Sequence, residues 1–585
     1  MTLRFSHPKI RRRSLFERLL HIIEARPASD RMILRATFFI IIGSIIATLI
    51  IWNNTFTVST AVGGGTLVEG LVGTPRFINP ALAVTRADQD VTALVFAGLM
   101  KIDATGKLVP NLAENVTVSS DGKTYNVILR PGLEFHDGSA LTTSDVTFTI
   151  GLIQNPELKS PLRGNWSDVT VEEVSATELN IILSEPYAPF IENFTVGILP
   201  KRIWNNIPIE QVPFNKYNTE PIGSGPFKVT RTAKNAAGQL IEAYTLSKFT
   251  TNEPVKLDAV TVRFYQNEND VESALRNKEI MSTVYLPAAA VKDLATNPSY
   301  TIIEEPLPRV FAIFFNQNKS AVLRDTAVRL ALSAAINRSE LVTTALSGYG
   351  IPTMSPVPPS DAAVESSRQS NENGSSSDKA SSIANATNIL TKAGWTKNGT
   401  GGWDKRIDGD VQTLKITLRT ANTPLFEQTT EVVARTWREL GVEVEVEQYD
   451  QSDLLQSVIR PRDFEGLLFG LDMSRAVDLY PFWHSSQRTD PGLNIAEYAN
   501  IEVDTLLQKA RTASTTEARL MANDQVASVL AREVPAAFLY VPSLVYVLDT
   551  TVITTPITSI SKPYERFMNV NEWHMNTDKL WSFFR

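Results

Sequence analysis

Residues 109–138 read VPNLAENVTVSSDGKTYNVILRPGLEFHDG and carry the local signals that decide the fold class. The β-rich segments 116–119 and 124–129 flank the sequence Ser-Asp-Gly-Lys at 120–123, and Asp-Gly between two such segments favours a tight turn. The stretch therefore predicts a β-hairpin.

Helical and strand signals alternate on either side of this hairpin. The sequence Phe-His-Asp-Gly at 135–138 predicts another turn, and Thr-Ser-Asp at 143–145 is suited to cap the helix after it. Helical apolar spacing recurs at 271–277, 327–336 and 425–440. Gly441 is a natural helix stop, and residues 442–446 alternate as a strand does. The pattern predicts α/β domains.

Composition excludes several classes of protein. The chain has 585 residues, 43% of them hydrophobic and 20% charged, as in an ordinary globular protein of several domains. Residues 1–35 carry a balance of +6 and the remainder carries −13, which favours a membrane-facing N-terminus over binding to nucleic acid. The absence of cysteine excludes disulfides, thiol nucleophiles and Cys-based metal sites.

One segment has the length and apolarity of a membrane anchor. Residues 33–52 read ILRATFFIIIGSIIATLIIW, and twenty helical residues span about 30 Å. The basic flank before them predicts a cytoplasmic segment 1–32 and a body outside the membrane, joined by a linker at 53–64. Residues 14–25 predict an amphipathic helix that lies on the membrane or contacts another cytoplasmic protein. The alternative to an anchor is a cleaved signal peptide.

Catalytic motifs are missing from the sequence. Gly122-Lys123-Thr124 mimics the end of a phosphate-binding loop, but Thr117 stands where that loop needs glycine. There is no G-x-S-x-G and no H-E-x-x-H, and the five histidines are scattered. The sequence therefore predicts no enzyme, no metal site and no cofactor.

Ten ordered fragments between about Thr66 and Asp549 resemble the family 5 extracellular solute-binding proteins, the oligopeptide- and dipeptide-binding type. They lie at 77–81, 95–99, 109–114, 120–124, 129–138, 144–146, 221–227, 314–316, 328–338 and 393–395, together with 348–359. The most distinctive fragment is Pro-Ile-Gly-Ser-Gly-Pro-Phe at 221–227.

The resemblance implies a two-lobed α/β fold of the large peptide-binding type. Lobe I is expected at 65–305, with an inserted subdomain at about 86–200, and again at 546–585. Lobe II is expected at 306–545. The chain would cross between the lobes near 304–310 and 538–545. Residues 360–382 are rich in Ser, Asn, Asp and Glu and predict a mobile loop within lobe II.

The resemblance also implies a function and a site. A monomer would capture a peptide in the cleft between the lobes and deliver it to the permease of an ABC importer. Ligand contacts are expected from Ala83, Val84 and Thr85 in lobe I, and from Gly470, Leu471, Asp472, Met473 and Asp478 in lobe II. Asp472 or Asp478 would pair with the α-ammonium group. The alternatives are another solute in the same cleft, such as an oligosaccharide, a nickel chelate or an opine, a membrane-tethered sensor, and an exported hydrolase.

Overall fold

The computed structural model describes residues 27–62, 64–249, 253–359, 377–513, 515–555 and 558–581. Contacts divide the chain into two units, one of residues 1–62 with 576–585 and one of residues 63–575. The predicted amphipathic helix at 14–25 lies outside the described residues.

The smaller unit contains helix α1 (Ala28–Phe56) and strands β1 (Thr57–Val62) and β23 (Asn576–Trp581), which pair antiparallel. The predicted linker at 53–64 is therefore wrong for residues 53–62. The sequence TVSTAV is rich in β-branched residues and favours a strand. It pairs with β23, which lies in the stretch 546–585 that the resemblance places in lobe I.

Helix α1 covers the predicted anchor, and its described side chains at Phe39, Ile40 and Ile45 are exposed. Within the described residues, no helix combines the length and the apolarity that a membrane crossing requires.

The large unit is built on one long mixed sheet. Its described strands are β2 (Thr66–Val72), β9 (Phe227–Lys234), β10 (Ile241–Lys248), β11 (Ala259–Tyr265), β12 (Ser282–Thr283), β13 (Tyr300–Pro306), β14 (Arg309–Phe315), β15 (Gly350–Pro352), β19 (Lys415–Ala421), β20 (Glu443–Tyr449), β21 (Gly466–Asp472) and β22 (Ala536–Asp549). The strand order is β20-β19-β21-β14-β22-β12-β2-β11-β10-β9, and β13 and β15 also pair with β22.

Smaller sheets surround the long one. They consist of β3 (Met100–Ile102) with β4 (Leu108–Pro110), of β16 (Thr396–Lys397), β17 (Trp403–Ile407) and β18 (Asp410–Thr413), and of a four-stranded sheet in the order β5-β6-β8-β7. The last contains β5 (Ala113–Val118), β6 (Thr124–Leu129), β7 (Val169–Glu173) and β8 (Glu178–Leu183), and falls inside the predicted insertion. Strands β5 and β6 confirm the predicted hairpin, and Gly122 takes φ 71° in its turn.

The helices of lobe I are α2 (Arg86–Val95), α3 (Thr143–Gln154), α4 (Arg163–Trp166), α5 (Lys201–Trp204), α6 (Glu268–Arg276) and α7 (Ala288–Leu294). Those of lobe II are α8 (Thr326–Ala335), α9 (Arg338–Ala345), α10 (Ser377–Lys392), α11 (Pro424–Leu440), α12 (Gln451–Asp453), α13 (Tyr480–Trp483), α14 (Ile501–Arg511) and α15 (Thr516–Glu533). Short 3₁₀ turns include Ala188–Thr195 and Pro563–Phe567, and Leu454–Ile459 forms a π-helical turn.

Helix boundaries follow the sequence closely, with two corrections. Helix α3 begins at Thr143, inside the stretch 143–145 that was expected to cap it, because Thr142 forms the capping box with Asp145. The predicted loop at 360–382 is wrong for 377–382, which belong to α10. Helix α10 is held in place by Ala386 and Leu390, which are buried in a lobe II core, and residues 377–382 form its N-terminal part. Residues 360–376 lie outside the described residues.

The hydrophobic cores are separated near the positions where the chain is predicted to cross between the lobes. One core gathers residues between 67–294 and 546–573, and two others gather residues between 310 and 541. Strand β22 runs through both regions, since Ala536–Tyr540 pairs with β14 and residues 543–549 pair with β13. The lobe boundaries predicted at 305/306 and 545/546 remain predictions, and they fall between these cores.

Candidate functional site

The predicted lobe I contact segment lies at the start of α2. Thr85 caps that helix, since its Oγ1 accepts a hydrogen bond from the Asp88 backbone N–H at 3.1 Å. The backbone N–H of Ala83 donates to the Asn79 carbonyl at 2.8 Å. Val84 is 63% exposed. Local hydrogen bonds therefore fix the backbone here, while the Val84 side chain stays available for contact.

The predicted lobe II contact segment ends strand β21. Leu471 and Met473 are buried in the lobe II core, and the Met473 N–H donates to the Pro308 carbonyl at 2.9 Å. The side chains of these two residues both face the core, because residues two positions apart along an extended chain point to the same face. Gly470 is half-buried and packs against the Phe311 ring, and Asp472 is exposed.

Asp472 is held between two cations from different parts of the chain. Its Oδ2 lies 2.8 Å from Arg309 Nη2, and its Oδ1 lies 3.2 Å from Lys562 Nζ. Its side chain is 41% exposed, so this pair of contacts is partly screened by water. Arg475, three residues further along the chain, pairs with Glu565 at 2.6 Å.

Asp478 is committed to protein contacts. Its Oδ1 accepts the backbone N–H of Tyr480, the first residue of α13, at 3.0 Å. Its Oδ2 accepts from Tyr187 Oη at 3.1 Å and from Arg511 Nε at 3.2 Å. Only 10% of its side chain is exposed. Tyr187 lies in lobe I, so Asp478 joins the lobes.

A cavity of about 170 Å³ opens beside Ala83. Its walls include α2, the segment 224–226 and residues between 564 and 571, with apolar surface from Phe96, Leu162 and Phe567. Among the described lining residues none comes from 306–545, so Ala83 and Gly470 do not share this cavity. The volume slightly exceeds the ~150 Å³ of an engineered cavity that admits benzene, so a benzene-sized group would fit.

Polar groups in the cavity wall make it more than an apolar void. Ser224 Oγ and Thr92 Oγ1 are buried and have no hydrogen-bond partner in the described part of the chain. A charged pair of Lys101 and Glu253 also lines the cavity, with 2.5 Å between Nζ and Oε2. Since buried polar groups normally find partners, this wall suits an organic solute with polar atoms, or ordered water.

Two of the sequence motifs, 135–138 and 221–227, contact each other at the cavity wall. The His136 backbone N–H donates to the Gly223 carbonyl at 2.8 Å, and His136 Nε2 bonds to the Gly225 carbonyl at 3.0 Å. Burial lowers the pKa of His136 to about 4, so its ring stays neutral at physiological pH. The described residues hold no group of three or more acids or histidines placed to ligate one metal ion.

Comparison with known proteins decides the family. Residues 107–490 match the model of the bacterial extracellular solute-binding proteins, family 5, middle region. The chain belongs to this family. The resemblance drawn from the ordered fragments is therefore confirmed, and the two-lobed α/β fold with it.

Relatives of this solute-binding protein match over most of its length. It is 29% identical to the oligopeptide-binding protein AppA of Bacillus subtilis over 495 residues, which cover 82% of this chain and 87% of AppA. The structure of AppA in complex with a nonapeptide superimposes with a TM-score of 0.66, at 26% identity, over 88% of this chain and all of AppA.

Two further solved structures share the fold. The ABC transporter substrate-binding protein CtaP of Listeria monocytogenes has a TM-score of 0.71 at 25% identity, over 88% of this chain and 99% of CtaP. NikZ of Campylobacter jejuni, in complex with Ni(L-His), has a TM-score of 0.66 at 24% identity, over 87% of this chain and 99% of NikZ. The matched relatives are solute-binding proteins, which supports a non-enzymatic role.

Sequence reasoning missed several residues of this site. Ser224 and Phe96 lie inside fragments that identify the family, and neither is among the ligand contacts that the resemblance implies. Arg475 stands between the two predicted acids, yet only the fold shows that it contacts lobe I. Tyr187 and Arg511 carried no signal in the sequence, because each acts through a partner more than twenty residues away.

Proposed function

We propose that this chain captures peptides between its two lobes and delivers them to the permease of an ABC importer. The relation to AppA over nearly the whole body carries the proposal, since AppA is an oligopeptide-binding protein whose solved complex holds a nonapeptide. Backbone hydrogen bonds from cleft-edge segments would hold an extended peptide whatever its side chains. The cavity beside Ala83 would take one of those side chains.

Native mass spectrometry of residues 64–581 tests this function first, by identifying the solute that co-purifies. Peptides of several sequences but similar length are the expected result. A single non-peptide solute, retained at full occupancy, would contradict the proposal. A nickel chelate is the second candidate, because the fold is shared with NikZ, and metal analysis of the same sample would detect it.

We further propose that Asp472 pairs with the α-ammonium group of the peptide. It is the more accessible of the two predicted acids, and a ligand ammonium could join Arg309 and Lys562 around it. Asp472→Asn should then weaken binding by about 2 kcal/mol, the low end for a charge pair because the carboxylate is partly exposed. N-acetylated peptide should show a similar loss on the wild type, and the two losses should not add.

Calorimetry on the four combinations of protein and peptide measures this coupling. Asp463→Asn is the matched control, because Asp463 is likewise a surface acid between two cations, Lys319 and Arg419. Equal affinity of wild type and Asp472→Asn for the free-amino peptide would remove Asp472 from the site.

The membrane attachment is proposed separately. The apolar run at 33–52 and the exposed Phe39, Ile40 and Ile45 of α1 support an anchor with the body outside the cell. External protease on intact cells should digest the body and leave a small membrane-bound stub. Protection of the body from protease would contradict this topology.

A further inference from the structure

Described segments from opposite lobes meet beside the predicted cleft. From lobe I comes Tyr187 with the 3₁₀ turn Ala188–Thr195 that follows it. From lobe II come Asp478, Tyr480 and the last residue of α14, Arg511. We define Tyr187, Asp478, Tyr480 and Arg511 as the interlobe clasp.

Arg511 is the centre of the clasp. Its guanidinium lies 4.9 Å from the ring centroid of Tyr187 and 4.2 Å from that of Tyr480, so it stands between one aromatic ring from each lobe. Its Nε donates to Asp478 Oδ2 at 3.2 Å. A planar guanidinium suits this position, since it stacks on aromatic faces and bonds a carboxylate at its edge.

Tyr187 completes the clasp from the lobe I side. Its hydroxyl donates to the same Asp478 oxygen at 3.1 Å, so one carboxylate oxygen receives a bond from each lobe. The surrounding low-dielectric environment raises the pKa of the Tyr187 hydroxyl, which keeps it a donor. Every interaction of Tyr187 with the other three residues is made across the interface between lobes.

A second set of contacts runs parallel to the clasp. Glu192, in the same 3₁₀ turn, lies beside Arg475 and Ala476 of lobe II. Arg475 in turn reaches Glu565 of lobe I, and both side chains are at most 15% exposed. The turn 188–195 and the loop 474–478 therefore meet in a polar interface whose groups all belong to the chain.

We propose that Arg511 is a positioning residue that holds the lobes closed through Tyr187 before any ligand binds. Closed, ligand-free molecules would be a substantial part of the population, and an incoming solute would enter molecules that have opened transiently. The effect of this closure on ligand retention rests on the proposed function. Closure itself does not, because every group of the clasp belongs to the chain.

Single-molecule fluorescence on ligand-free protein tests the clasp. The chain has no cysteine, so cysteines placed at the exposed Glu173 and Lys392 would carry a dye pair across the lobes. Protein refolded from denaturant contains no co-purified solute. Wild type should show a major closed state, and Arg511→Gln should lower the ratio of closed to open molecules roughly 10-fold, or about 1.4 kcal/mol.

Two further variants separate positioning from general destabilisation. Arg511→Lys should not restore closure, because an ammonium keeps the charge but cannot lie flat between two rings. Tyr187→Phe keeps the ring and should give a smaller, about 3-fold, loss. Arg532→Gln is the matched control, since Arg532 pairs with Glu502 inside lobe II and should leave the histogram unchanged.

The possible results separate this inference from the proposed function. An open wild type without ligand, or an unchanged histogram in folded Arg511→Gln, would overturn the clasp. If Arg511→Gln fails to fold, an unchanged Tyr187→Phe histogram would overturn it equally. Failure of every peptide to bind would sink the proposed function and leave the ligand-free histograms as evidence for the clasp.

Discussion

Arg566 shows how a single residue organises the interior of lobe I. Its guanidinium is buried and lies 2.9 Å from Glu69 Oε1 and 2.9 Å from Asp90 Oδ1. Tyr546 and Ser282 donate to the other oxygen of Glu69. Burial raises the pKa of Glu69 despite these partners. The network ties strand β2, helix α2 and strand β22 together, and α2 is also part of the cavity wall.

Removal of this guanidinium should be severely destabilising. Arg566→Met leaves two buried carboxylates without their cation, which typically costs about 3–5 kcal/mol. Urea unfolding measures the loss. Arg276→Met is the control, since Arg276 pairs with Glu272 and Asp293 at the surface, where removal costs at most about 1 kcal/mol. Equal losses in the two variants would contradict this account of the network.

Glu192 makes the interlobe contact sensitive to pH. Burial raises its pKa to about 7, while Arg475 opposes the rise and Glu565 adds to it. The folded chain thus retains this proton between pH 4.5 and 7, where an unfolded chain has lost it. Stability contributed by this group is full below about pH 4.5 and falls as pH rises towards 7.

Glu192→Gln should remove that fall. The variant is expected to gain melting temperature relative to wild type as pH rises from 5 to about 8. The charged groups that shift the pKa of Glu192 are Arg475 and Glu565, and the variant retains both. A constant difference between the two melting curves across this range would contradict the assignment.

At the scale of elements, the segment 221–227 packs closely against α2 because two of its residues, Gly223 and Gly225, have no side chain. A Cβ on Gly223 would lie 2.1 Å from the Val95 carbonyl oxygen, and one on Gly225 would lie 2.6 Å from the Val95 carbonyl carbon. The segment can therefore lie directly against the end of α2, where the Gly225 N–H donates to Val95 at 2.8 Å. This close approach places Ser224 in the cavity wall.

Gly223→Ala should disrupt this packing. Its Cβ would meet rigid backbone, so we expect a loss of about 1–3 kcal/mol, measured by thermal unfolding. Gly151→Ala is the matched control, because a Cβ there meets nothing within 4 Å and alanine favours the interior of α3 by about 0.5–1 kcal/mol. The account fails if both variants melt like wild type.

At the scale of the whole molecule, each lobe has hydrophobic cores of its own. Strand β22 and the connection from β13 to β14 join the lobes. This arrangement predicts that the lobes move as rigid bodies about these two connections. Small-angle scattering should show a smaller radius of gyration when a peptide that binds by calorimetry is added. The decrease should be larger in Arg511→Gln, because that variant starts more open. An unchanged profile of both proteins, with binding demonstrated, would contradict hinge closure.

The sequence by itself determined the family, the α/β class and most local elements. Its signals act over a few residues: Asp121-Gly122 made the hairpin, Gly441 ended α11 at φ 95°, and apolar spacing placed α6, α8 and α11. Such signals come from the backbone preferences of single residues and from the spacing of apolar residues, and both can be read within a short window of sequence.

Only the tertiary structure decided which side chains meet. It buried Leu471 and Met473, gave Asp472 to Arg309 and Lys562, and turned Asp478 into a link between the lobes. It also paired residues 57–62 with 576–581 across more than 500 positions of sequence. Partners that far apart leave no periodicity to detect, because the contact energy depends on where the folded backbone brings each group.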